Sequence, residues 1–296
     1  MNISLREIDL VCATVQRMSG IYLDSRKSYL IENRLRPLLQ TYDFKSYLDL
    51  VNALQGVASD NRSELRRDFL DAITTNETLF FRDGSPFDAF EFKMLPEAWD
   101  RIQSEPGSRP LRIWSAACST GQEAYSLAIR LAEMLDPAER VRVEIMASDI
   151  CETALGRAME GWYPEHETDR GLPDDLRDKY FERKNNGWNI SPAIRKMVKF
   201  EQRNLLDPLT LLPKFDIVFC RNVAMYFSSR DRQKLFDSLA RIMQISGFLV
   251  IGSSEYYDEM GVEFQREEHC RSVVYRHGGQ GVIDHCSVSA RIPVLH

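Results

Sequence analysis

Glycine is scarce at the point where a nucleotide-binding loop would need it. The stretch IWSAACSTGQEAYSLAI, residues 113–129, reads as a buried strand, a loop of small residues and a helix, which are the parts of a nucleotide pocket. Gly121 is its only glycine, so the three-glycine fingerprint of NAD-binding folds is absent, and the chain contains no Walker A motif. Both absences disfavour an NTPase or an NAD-dependent enzyme. An adenosyl ligand without a pyrophosphate fits this loop best.

Excess positive charge is also missing. The net charge is -6, which disfavours a general nucleic-acid-binding protein, because such proteins normally carry a basic excess. The six cysteines form no CxxC pair, and the adjacent His and Cys residues lack a second pair at metal-ligand spacing. We therefore predict reduced thiols, no metal site and no nucleic-acid partner.

Long apolar runs are missing as well. No run reaches the roughly 18 residues that a membrane span requires. The N-terminal stretch MNISLREIDLVCATV lacks the apolar core of a signal peptide. We therefore expect a cytoplasmic protein that does not insert directly into the membrane.

The pattern of apolar residues along the chain changes after Pro110. Before it, apolar residues recur at helical spacing, and after it, short apolar strands alternate with helices. The alternation predicts an α/β, Rossmann-like fold with a mainly parallel, doubly wound sheet and helices on both faces. The expected divisions are a helical N-terminal domain at 1–83, a linker helix and loop at 84–110, an α/β domain at 111–277 with an inserted subdomain at about 161–197, and a mobile tail at 278–296. Within the insertion, Asn185-Asn186-Gly187 predicts a small hairpin.

Two acids stand where the first two strands of this sheet end. Glu123 falls in the first turn of the helix after the small-residue loop, where it either complements the helix dipole or faces a ligand ammonium. Asp149 follows directly from an apolar strand, where it either binds ribose hydroxyls or caps the next helix. We favour the ribose for Asp149, whereas Glu123 alone does not decide between its two roles.

The later strand ends carry polar residues too. The stretch RNLL places Asn204 and Leu205 where an adenine edge and face would be held. Arg221 and Asn222 emerge from the buried strand VFCRN, and Tyr226 follows on an expected helical turn. Each signal is weak alone. Because ligands of parallel α/β sheets bind at the carboxyl ends of the strands, the set together indicates a ligand-binding Rossmann-like domain.

Six motifs, in this order and at this spacing, make the sequence resemble the CheR chemotaxis receptor methyltransferases. They are TNETLFFRD, RIWSAACSTGQEAYSLA, ASDI, RNLL, FDIVFCRNVAMYF and GFLVIGSSE. The resemblance covers about residues 1 to 276 and implies a small all-helical domain followed by a class I methyltransferase domain. It further implies methyl transfer from S-adenosyl-L-methionine to glutamate side chains in the cytoplasmic helical domain of chemoreceptors, with S-adenosyl-L-homocysteine as product.

The resemblance also implies roles for individual residues of this chain. Those assigned to the cofactor pocket are Asn76, Thr78 and Arg82 in the wall between the domains, Glu123 at the methionine ammonium, Asp149 at the ribose, Asn204 and Leu205 at the adenine, and Arg221 and Asn222 on the floor. Arg82 and Tyr226 are implied to lie closest to the point where the methyl group leaves, so they are the expected catalytic residues.

The sequence departs from the family pattern in two places. Ser253 stands where members often carry a histidine, which puts any substrate-positioning role of that histidine in doubt here. The insertion near 181–200 looks shorter than in members that dock on a receptor's C-terminal pentapeptide. We therefore expect the chain to recognise the methylation helix directly, without a pentapeptide tether.

The N-terminal segment RKSYLIENRLR is rich in basic residues. They are Arg26, Lys27, Arg34 and Arg36. The segment is either a surface for acidic receptor segments or a solvated helix face.

Two alternative functions remain open at the level of sequence. One is a class I methyltransferase that acts on RNA or on a small molecule. The other is a non-catalytic scaffold that binds the adenosyl ligand in a signalling array. The product separates the first from receptor methylation, because a carboxyl methyl ester releases methanol in base whereas N- and C-methyl groups do not.

Overall fold

The computed structural model shows a helical domain docked on an α/β domain. The described residues are 3–24, 26, 28–56, 62–107, 109–257 and 260–278. The predicted mobile tail at 278–296 lies outside them, apart from Gly278. Among the described residues, none of the helices combines the length and the apolar content that a membrane crossing requires.

Four helices form the N-terminal domain. They are α1 (Leu5–Ser19), α2 (Ser28–Thr41), α3 (Tyr47–Gln55) and α4 (Arg62–Ile73). Each helix turns an apolar stripe inward, and Val11, Leu35, Leu50 and Phe69 share one buried core. Gly20 ends α1 in the left-handed region at φ 79°, the usual backbone for a helix C-terminus. The prediction of an all-helical domain is confirmed.

A helix with one π-helical turn leads into the second domain. Its parts are α5 (Ser85–Ala89), the π-helical turn (Phe90–Met94) and α6 (Leu95–Ser104). The ring centroids of Phe87 and Phe90 lie 5.9 and 6.0 Å from that of Phe219, which belongs to the central sheet. The linker helix is therefore anchored in the core of the α/β domain.

The α/β domain alternates strands and helices. Its strands are β1 (Leu111–Ala116), β2 (Val143–Asp149), β3 (Trp162–Pro164), β4 (Phe181–Lys184), β5 (Gly187–Ile190), β6 (Val198–Gln202), β7 (Phe215–Phe219), β8 (Met243–Val250), β9 (Phe264–His269) and β10 (Ser272–His277). Its helices are α7 (Gln122–Met134), α8 (Pro137–Arg140), α9 (Glu152–Glu160), α10 (Glu165–Thr168), α11 (Asp174–Tyr180), α12 (Pro192–Arg195) and α13 (Ser229–Ile242).

The central sheet has the strand order β6-β2-β1-β7-β8-β10-β9. The first five strands are parallel, and β10 and β9 close the sheet as an antiparallel pair. Ile113 shares a core with Leu127 of α7, whereas its neighbour Trp114 shares another with Leu235 of α13. Both faces are thus covered, and the predicted α/β, Rossmann-like fold with a mainly parallel, doubly wound sheet is confirmed. The strand order reverses between β1 and β7, which is where such folds bind ligands.

A second, smaller sheet is inserted between α9 and β6. Its antiparallel order is β3-β5-β4, and we call it the inserted sheet. The turn between β4 and β5 places Asn185 in the left-handed region at φ 56°. The hairpin predicted from Asn185-Asn186-Gly187 is therefore confirmed, because asparagine and glycine tolerate the positive φ that a tight turn requires.

The helical domain docks on the carboxyl ends of the parallel strands. The backbone N–H of Tyr22 donates to the carbonyl of Tyr226 over 2.7 Å. The side chain of Asn204 donates to the carbonyl of Met18 over 3.0 Å. A Cβ on Gly20 would come within 2.3 Å of a methyl carbon of Leu206, so a larger residue would displace that side chain and strain the backbone at φ 79°. Through these contacts the helical domain covers the carboxyl ends of the parallel strands.

Asp231 at the start of α13 ties the two domains together and is expected to make stability depend on pH. It accepts hydrogen bonds from Gln16 of α1 at 3.0 Å and from Ser228 at 2.8 Å, and it pairs with Lys234 at 2.7 Å. Burial alone would raise its pKa, but the hydrogen bonds from Lys234, Gln16 and Ser228 outweigh burial and lower the pKa to about 2. A lowered carboxyl pKa stabilises the fold above the unfolded value of about 3.9, and the benefit fades as the pH falls towards 2.

We expect Asp231→Asn to lower the free energy of unfolding by about 1–2 kcal/mol at pH 7. Urea unfolding at pH 7 and pH 3 measures this, and the deficit should shrink by about half at pH 3. Asp237→Asn, on the same helix, is the control and should change stability by less than about 0.5 kcal/mol. A deficit for Asp231→Asn that is equal at both pH values would contradict the assignment.

Candidate active site

A cavity of about 590 Å³ lies between the helical domain and the carboxyl ends of the parallel strands. It brings together every residue to which the sequence assigned a site role. They are Asn76, Thr78, Arg82, Glu123, Asp149, Asn204, Leu205, Arg221, Asn222 and Tyr226. The helical domain closes the opposite side with apolar residues of α2 and of the turn before it, among them Ile21, Ile31 and Leu35.

The small-residue loop after β1 is held in an unusual backbone conformation. Ala117, Ser119 and Gly121 all have positive φ, at 60°, 50° and 93°. A Cβ on Gly121 would lie 2.8 Å from the Cβ of Ala158, so a larger residue would clash with α9. Non-glycine residues in this region cost about 1–3 kcal/mol each, and such strain persists only where neighbours fix it. The loop thus turns sharply and exposes its backbone to the cavity.

Glu123 is buried in the first turn of α7, with 9% of its surface exposed. Its Oε1 accepts a hydrogen bond from the Ser115 hydroxyl at 2.7 Å, and its Oε2 pairs with the Arg221 guanidinium at 3.0 Å. A carboxylate that served only the helix dipole would stay in solvent. Burial and the pairing with Arg221 instead fix the carboxylate at the lining of the cavity, and its contact with a ligand stays a prediction.

Asp149 shapes the loop and the turn before α9 at the same time. Its Oδ2 accepts from the Ser119 backbone N–H at 2.8 Å, and its Oδ1 accepts from the Cys151 N–H at 2.9 Å. Burial raises its pKa, although these backbone hydrogen bonds oppose the shift. The N-cap of α9 is Cys151 rather than Asp149, and its sulfur accepts from the Ala154 N–H. Asp149 is therefore not the N-cap of α9, and it lines the cavity.

Arg221 joins three parts of the site. Its side chain is 1% exposed, and it pairs with Asp83 at 2.7 Å and with Glu123 at 3.0 Å. It also donates to the carbonyl of Arg82 at 3.0 Å, and its guanidinium lies over the Phe87 ring at 5.8 Å from the centroid. One buried cation thus ties the segment between the domains to α7.

Arg82 differs from Arg221 in having no acidic partner among the described residues. The one hydrogen bond that its guanidinium makes to the described residues goes to the carbonyl of Glu77, at 3.3 Å. Thr78 lies half-buried beside it, and the exposed Asn76 donates to the sulfur of Cys151 at 3.1 Å. The guanidinium of Arg82 is therefore available to a ligand in the cavity.

Asn204 is placed at the cavity but is committed to the protein. Its Nδ2 donates to the carbonyl of Met18, and its Oδ1 accepts from the Leu206 N–H at 3.0 Å. Leu205 is buried and offers an apolar surface. Its contact with an adenine stays a prediction, whereas the amide of Asn204 joins the two domains.

Asn222 and Tyr226 lie on the loop after β7. Asn222 has a left-handed φ of 57°, and its N–H donates to Glu255 at 2.8 Å. Tyr226 ends a 3-10 turn, and 37% of its surface is exposed. Tyr226 is thus a partly exposed residue of the cavity lining.

Sequence reasoning missed two acids that organise this site. Glu255 is buried and accepts hydrogen bonds from the N–H groups of Asn222 and Gly252, the latter at 2.7 Å. Asp83 is shared between Arg221 and the hydroxyl of Ser253, which donates over 3.0 Å. The sequence shows Glu255 only as an acid at the end of GFLVIGSSE. Without its contacts to Asn222 and Gly252, this stretch is interpreted as a plain turn.

Two of the four basic residues in α2 and just before it are paired with acids. Arg26 pairs with Asp24, and Arg36 pairs with Glu32 at 2.9 Å. Arg34 turns toward the cavity, where it donates to the carbonyl of Ile73 and, over 2.8 Å, to the hydroxyl of Thr75. Lys27 lies outside the described residues. The geometry favours a solvated helix face over a free basic surface.

Both domains match known families over nearly all of the described chain. Residues 76–273 match the CheR methyltransferase, SAM binding domain, and residues 6–74 match the CheR methyltransferase, all-alpha domain. The chain belongs to the CheR methyltransferase family. The resemblance seen in the sequence is thereby confirmed, and so is S-adenosyl-L-methionine as the methyl donor of this CheR protein.

The relatives of this CheR protein are similar over almost their whole length. It is 36% identical over 280 residues to chemotaxis protein methyltransferase 1 of Pseudomonas aeruginosa, covering 93% of this chain and 99% of that one. It is 37% identical over 270 residues to chemotaxis protein methyltransferase Cher2 of Pseudomonas putida, covering 88% and 94%. A solved O-methyltransferase family protein from Burkholderia thailandensis is 14% identical, with a TM-score of 0.36 over 68% of this chain and 62% of that one.

The residues at the cavity fit the cofactor of the family. The volume of about 590 Å³ falls within the usual range of small-molecule sites, roughly 300–1,000 Å³. Two buried carboxylates, Glu123 and Asp149, stand at neighbouring strand ends. Ser119 adds a buried hydroxyl oxygen that has no hydrogen-bond partner among the described residues. A buried polar atom without a partner is expected where a ligand supplies one.

Proposed function

We propose that this CheR protein is a protein-glutamate O-methyltransferase, which transfers methyl groups from S-adenosyl-L-methionine to glutamate carboxylates of chemoreceptors and gives glutamyl methyl esters. The observation that carries the proposal is the character of the cavity lining. Within the described part of the chain, no His, Lys or Cys lines the cavity. Its two deep acids are engaged, Glu123 by Arg221 and Asp149 by two backbone N–H groups. The described lining thus supplies carboxylates, Asp24 and Glu77 among them, but no imidazole, lysine amine or thiol to act as a general base, so a target that needs no proton removed is favoured.

A glutamate carboxylate is such a target. Its reference pKa is about 4.3, so it is already ionised at pH 7 and needs no proton removed before it attacks. A ring carbon of RNA carries a proton that must leave, which requires a base. The site chemistry therefore supports carboxyl methylation over methylation of a ring carbon of RNA.

The proposed cofactor contacts follow the charges and faces of the cavity. When bound, S-adenosyl-L-methionine supplies an electrophilic methyl group on its sulfonium. Glu123 would hold the ammonium of its methionine part, and Asp149 would accept hydrogen bonds from the ribose hydroxyls. The remaining cofactor contacts would be Leu205 and Asn204 beside the adenine, Arg221 and Asn222 on the floor, and Asn76, Thr78 and Arg82 in the wall.

Arg82 and Tyr226 are the proposed catalytic residues. The guanidinium of Arg82 has no acidic partner among the described residues, so it is able to orient a substrate carboxylate through its fork of N–H donors. Tyr226 is exposed and lines the cavity, and its hydroxyl would hydrogen-bond the second carboxylate oxygen. Tight pairing would weaken the nucleophile, so both groups should position it rather than neutralise it. Alignment of reacting groups is worth up to roughly 7–11 kcal/mol in favourable cases.

Labelled methyl transfer tests the proposed reaction. The protein is incubated with methyl-labelled S-adenosyl-L-methionine and membranes that contain chemoreceptors, and the labelled product is then treated with base. We expect label on the receptors that is released as methanol. Label that resists base would indicate N- or C-methylation instead, and no label at all would favour a non-catalytic scaffold.

We propose that the chain meets its receptors in the cytoplasm and without a pentapeptide tether. Cys118, Cys151 and Cys220 are free thiols in the structure, as is usual for cytosolic proteins. One of the two edge strands of the inserted sheet, β4, is four residues long and ends in three exposed charges, Glu182 to Lys184. Short, charged edges disfavour the addition of a further strand.

Calorimetry with a receptor's C-terminal pentapeptide tests the tether proposal. We expect no measurable binding at peptide concentrations up to about 1 mM, which corresponds to a binding free energy weaker than about -4 kcal/mol. Micromolar affinity would overturn this part of the proposal while leaving the proposed reaction untouched.

A further inference from the structure

The small-residue loop at 117–121 is braced from two directions. One brace comes from the end of β2, where Asp149 accepts from the Ser119 N–H and the carbonyl of Ser148 accepts from the Cys118 N–H at 2.9 Å. The other comes from the inserted sheet and the helix that follows its first strand. Because the loop holds two non-glycine residues at positive φ, it keeps its shape only while such braces remain.

Tyr163 of β3 is the first part of the second brace. Its hydroxyl donates to the carbonyl of Thr120 at 2.8 Å, and its side chain is fully buried. The same hydroxyl would lie 3.2 Å from a Cβ on Gly121, so it sits directly against the turn of the loop. A buried hydrogen bond of this kind fixes the position of the loop's backbone relative to the inserted sheet.

Glu167 of α10 supplies the second part. It accepts from the side chain of Gln122 at 3.0 Å, and the Oε1 of Gln122 accepts from the Thr120 hydroxyl at 2.7 Å. Arg157 of α9 pairs with the other oxygen of Glu167 at 2.9 Å. The chain from Thr120 through Gln122 to Glu167 therefore ties the end of the loop to the inserted subdomain a second time.

The ring of Tyr163 also contacts the segment that carries Thr78 and Arg82. The Phe80 ring packs edge-on against Tyr163 at 5.0 Å and against Phe181 of β4 at 5.5 Å. A Cβ on Gly171 would come within 2.2 Å of the Phe80 carbonyl, so the backbone of the insertion also presses on this segment. Tyr163 thus contacts the small-residue loop through its hydroxyl and the segment that carries Thr78 and Arg82 through its ring.

We infer that Tyr163 is a positioning residue for the cofactor, through which the inserted sheet fixes the loop at 117–121 in its binding conformation. The inference rests on the proposal that the cofactor binds at this loop. It gives the inserted sheet a role in the reaction itself, independent of any receptor contact. Loss of the Tyr163 hydroxyl leaves the Thr120 carbonyl buried without its partner and releases one brace of a strained turn.

Tyr163→Phe tests the inference, with Tyr125→Phe as its matched control. Tyr125 is equally buried and its hydroxyl donates to the carbonyl of Ala158, on α9 rather than on the loop. Each variant loses one buried hydrogen bond and keeps its ring. Isothermal calorimetry with S-adenosyl-L-homocysteine measures affinity without turnover, and thermal unfolding without ligand measures the general cost.

We expect Tyr163→Phe to raise the Kd for S-adenosyl-L-homocysteine about tenfold, the factor that corresponds to about 1.4 kcal/mol. The KM for the methyl donor should rise in parallel, while the kcat at saturating donor should fall by less than about threefold. Tyr125→Phe should lower the Tm by a similar amount yet leave the Kd within about twofold of wild type. Equal Kd values for the two tyrosine variants would overturn the inference.

Glu167→Ala keeps the inference testable if Tyr163→Phe folds poorly. It removes the second tie at the surface of the protein, and we expect a Kd about threefold above wild type. Arg157→Ala, which leaves the bond between Gln122 and Glu167 in place, should not change the Kd. An unchanged Kd for Glu167→Ala would count against the brace. Asp149→Ala tests the proposed cofactor site separately. An unchanged Kd for that variant would mean that the cofactor does not bind at the loop at 117–121.

Discussion

Replacing Arg221 by methionine is expected to lower the free energy of unfolding by about 3–5 kcal/mol. Its guanidinium is almost fully buried and faces two carboxylates, those of Glu123 and Asp83. Methionine preserves most of the side-chain volume but leaves Glu123 as a buried charge without its cation. The cost of removing one partner of a buried pair greatly exceeds the net worth of the pair. Urea unfolding of the variant and the wild type measures the difference.

A double variant separates the charge effect from the loss of packing. Glu123→Gln combined with Arg221→Met should recover part of the lost stability, because the uncompensated charge is gone. Arg221→Lys should fall between the wild type and Arg221→Met, since an ammonium replaces the charge but not the fork of donors. A loss below about 1 kcal/mol for Arg221→Met would contradict the role given to this residue.

Replacing Arg82 by alanine is expected to slow methyl transfer about 100-fold while the free energy of unfolding changes by less than about 1 kcal/mol. The reason is the contrast with Arg221. Arg82 is half-buried and makes one long hydrogen bond to the protein, to the carbonyl of Glu77. The fold therefore depends little on it, whereas a carboxylate in the cavity would lose its positioning group. Initial rates with labelled donor and receptor membranes give the effect on turnover.

Two further arginine variants serve as controls for Arg82. Arg203 lines the same cavity but pairs with Glu201 at 2.9 Å, so Arg203→Ala should change the rate by less than about threefold. Arg82→Lys should retain part of the rate, because it keeps the charge and loses the fork. Near-normal methylation by Arg82→Ala would show that the assignment of this residue is wrong.

The fold was predictable because its signals are local. The buried strand FDIVF and the helical spacing of α1 each follow from a short stretch of sequence, and the order of such stretches indicates a parallel sheet. The same order predicts that Glu123 and Asp149 meet, because parallel strands end at one edge. For this reason all residues proposed for the site line one cavity.

The remaining features depend on contacts between segments far apart in the chain. Nothing near Asn204 shows that its amide binds the carbonyl of Met18 and so joins the domains. The sequence near Asp83 and Tyr163 likewise does not predict their contacts, because their partners, Arg221 and Thr120, lie far away along the chain. Such contacts come from tertiary packing, which periodicity and motif spacing do not encode.

The most direct test of the account is a crystal structure of the protein grown with S-adenosyl-L-homocysteine. The account predicts that the ligand fills the cavity between the domains, with its amino group at Glu123 and its ribose hydroxyls at Asp149. Density for the ligand at any other place, or in this cavity with no contact to either carboxylate, would contradict the central claim.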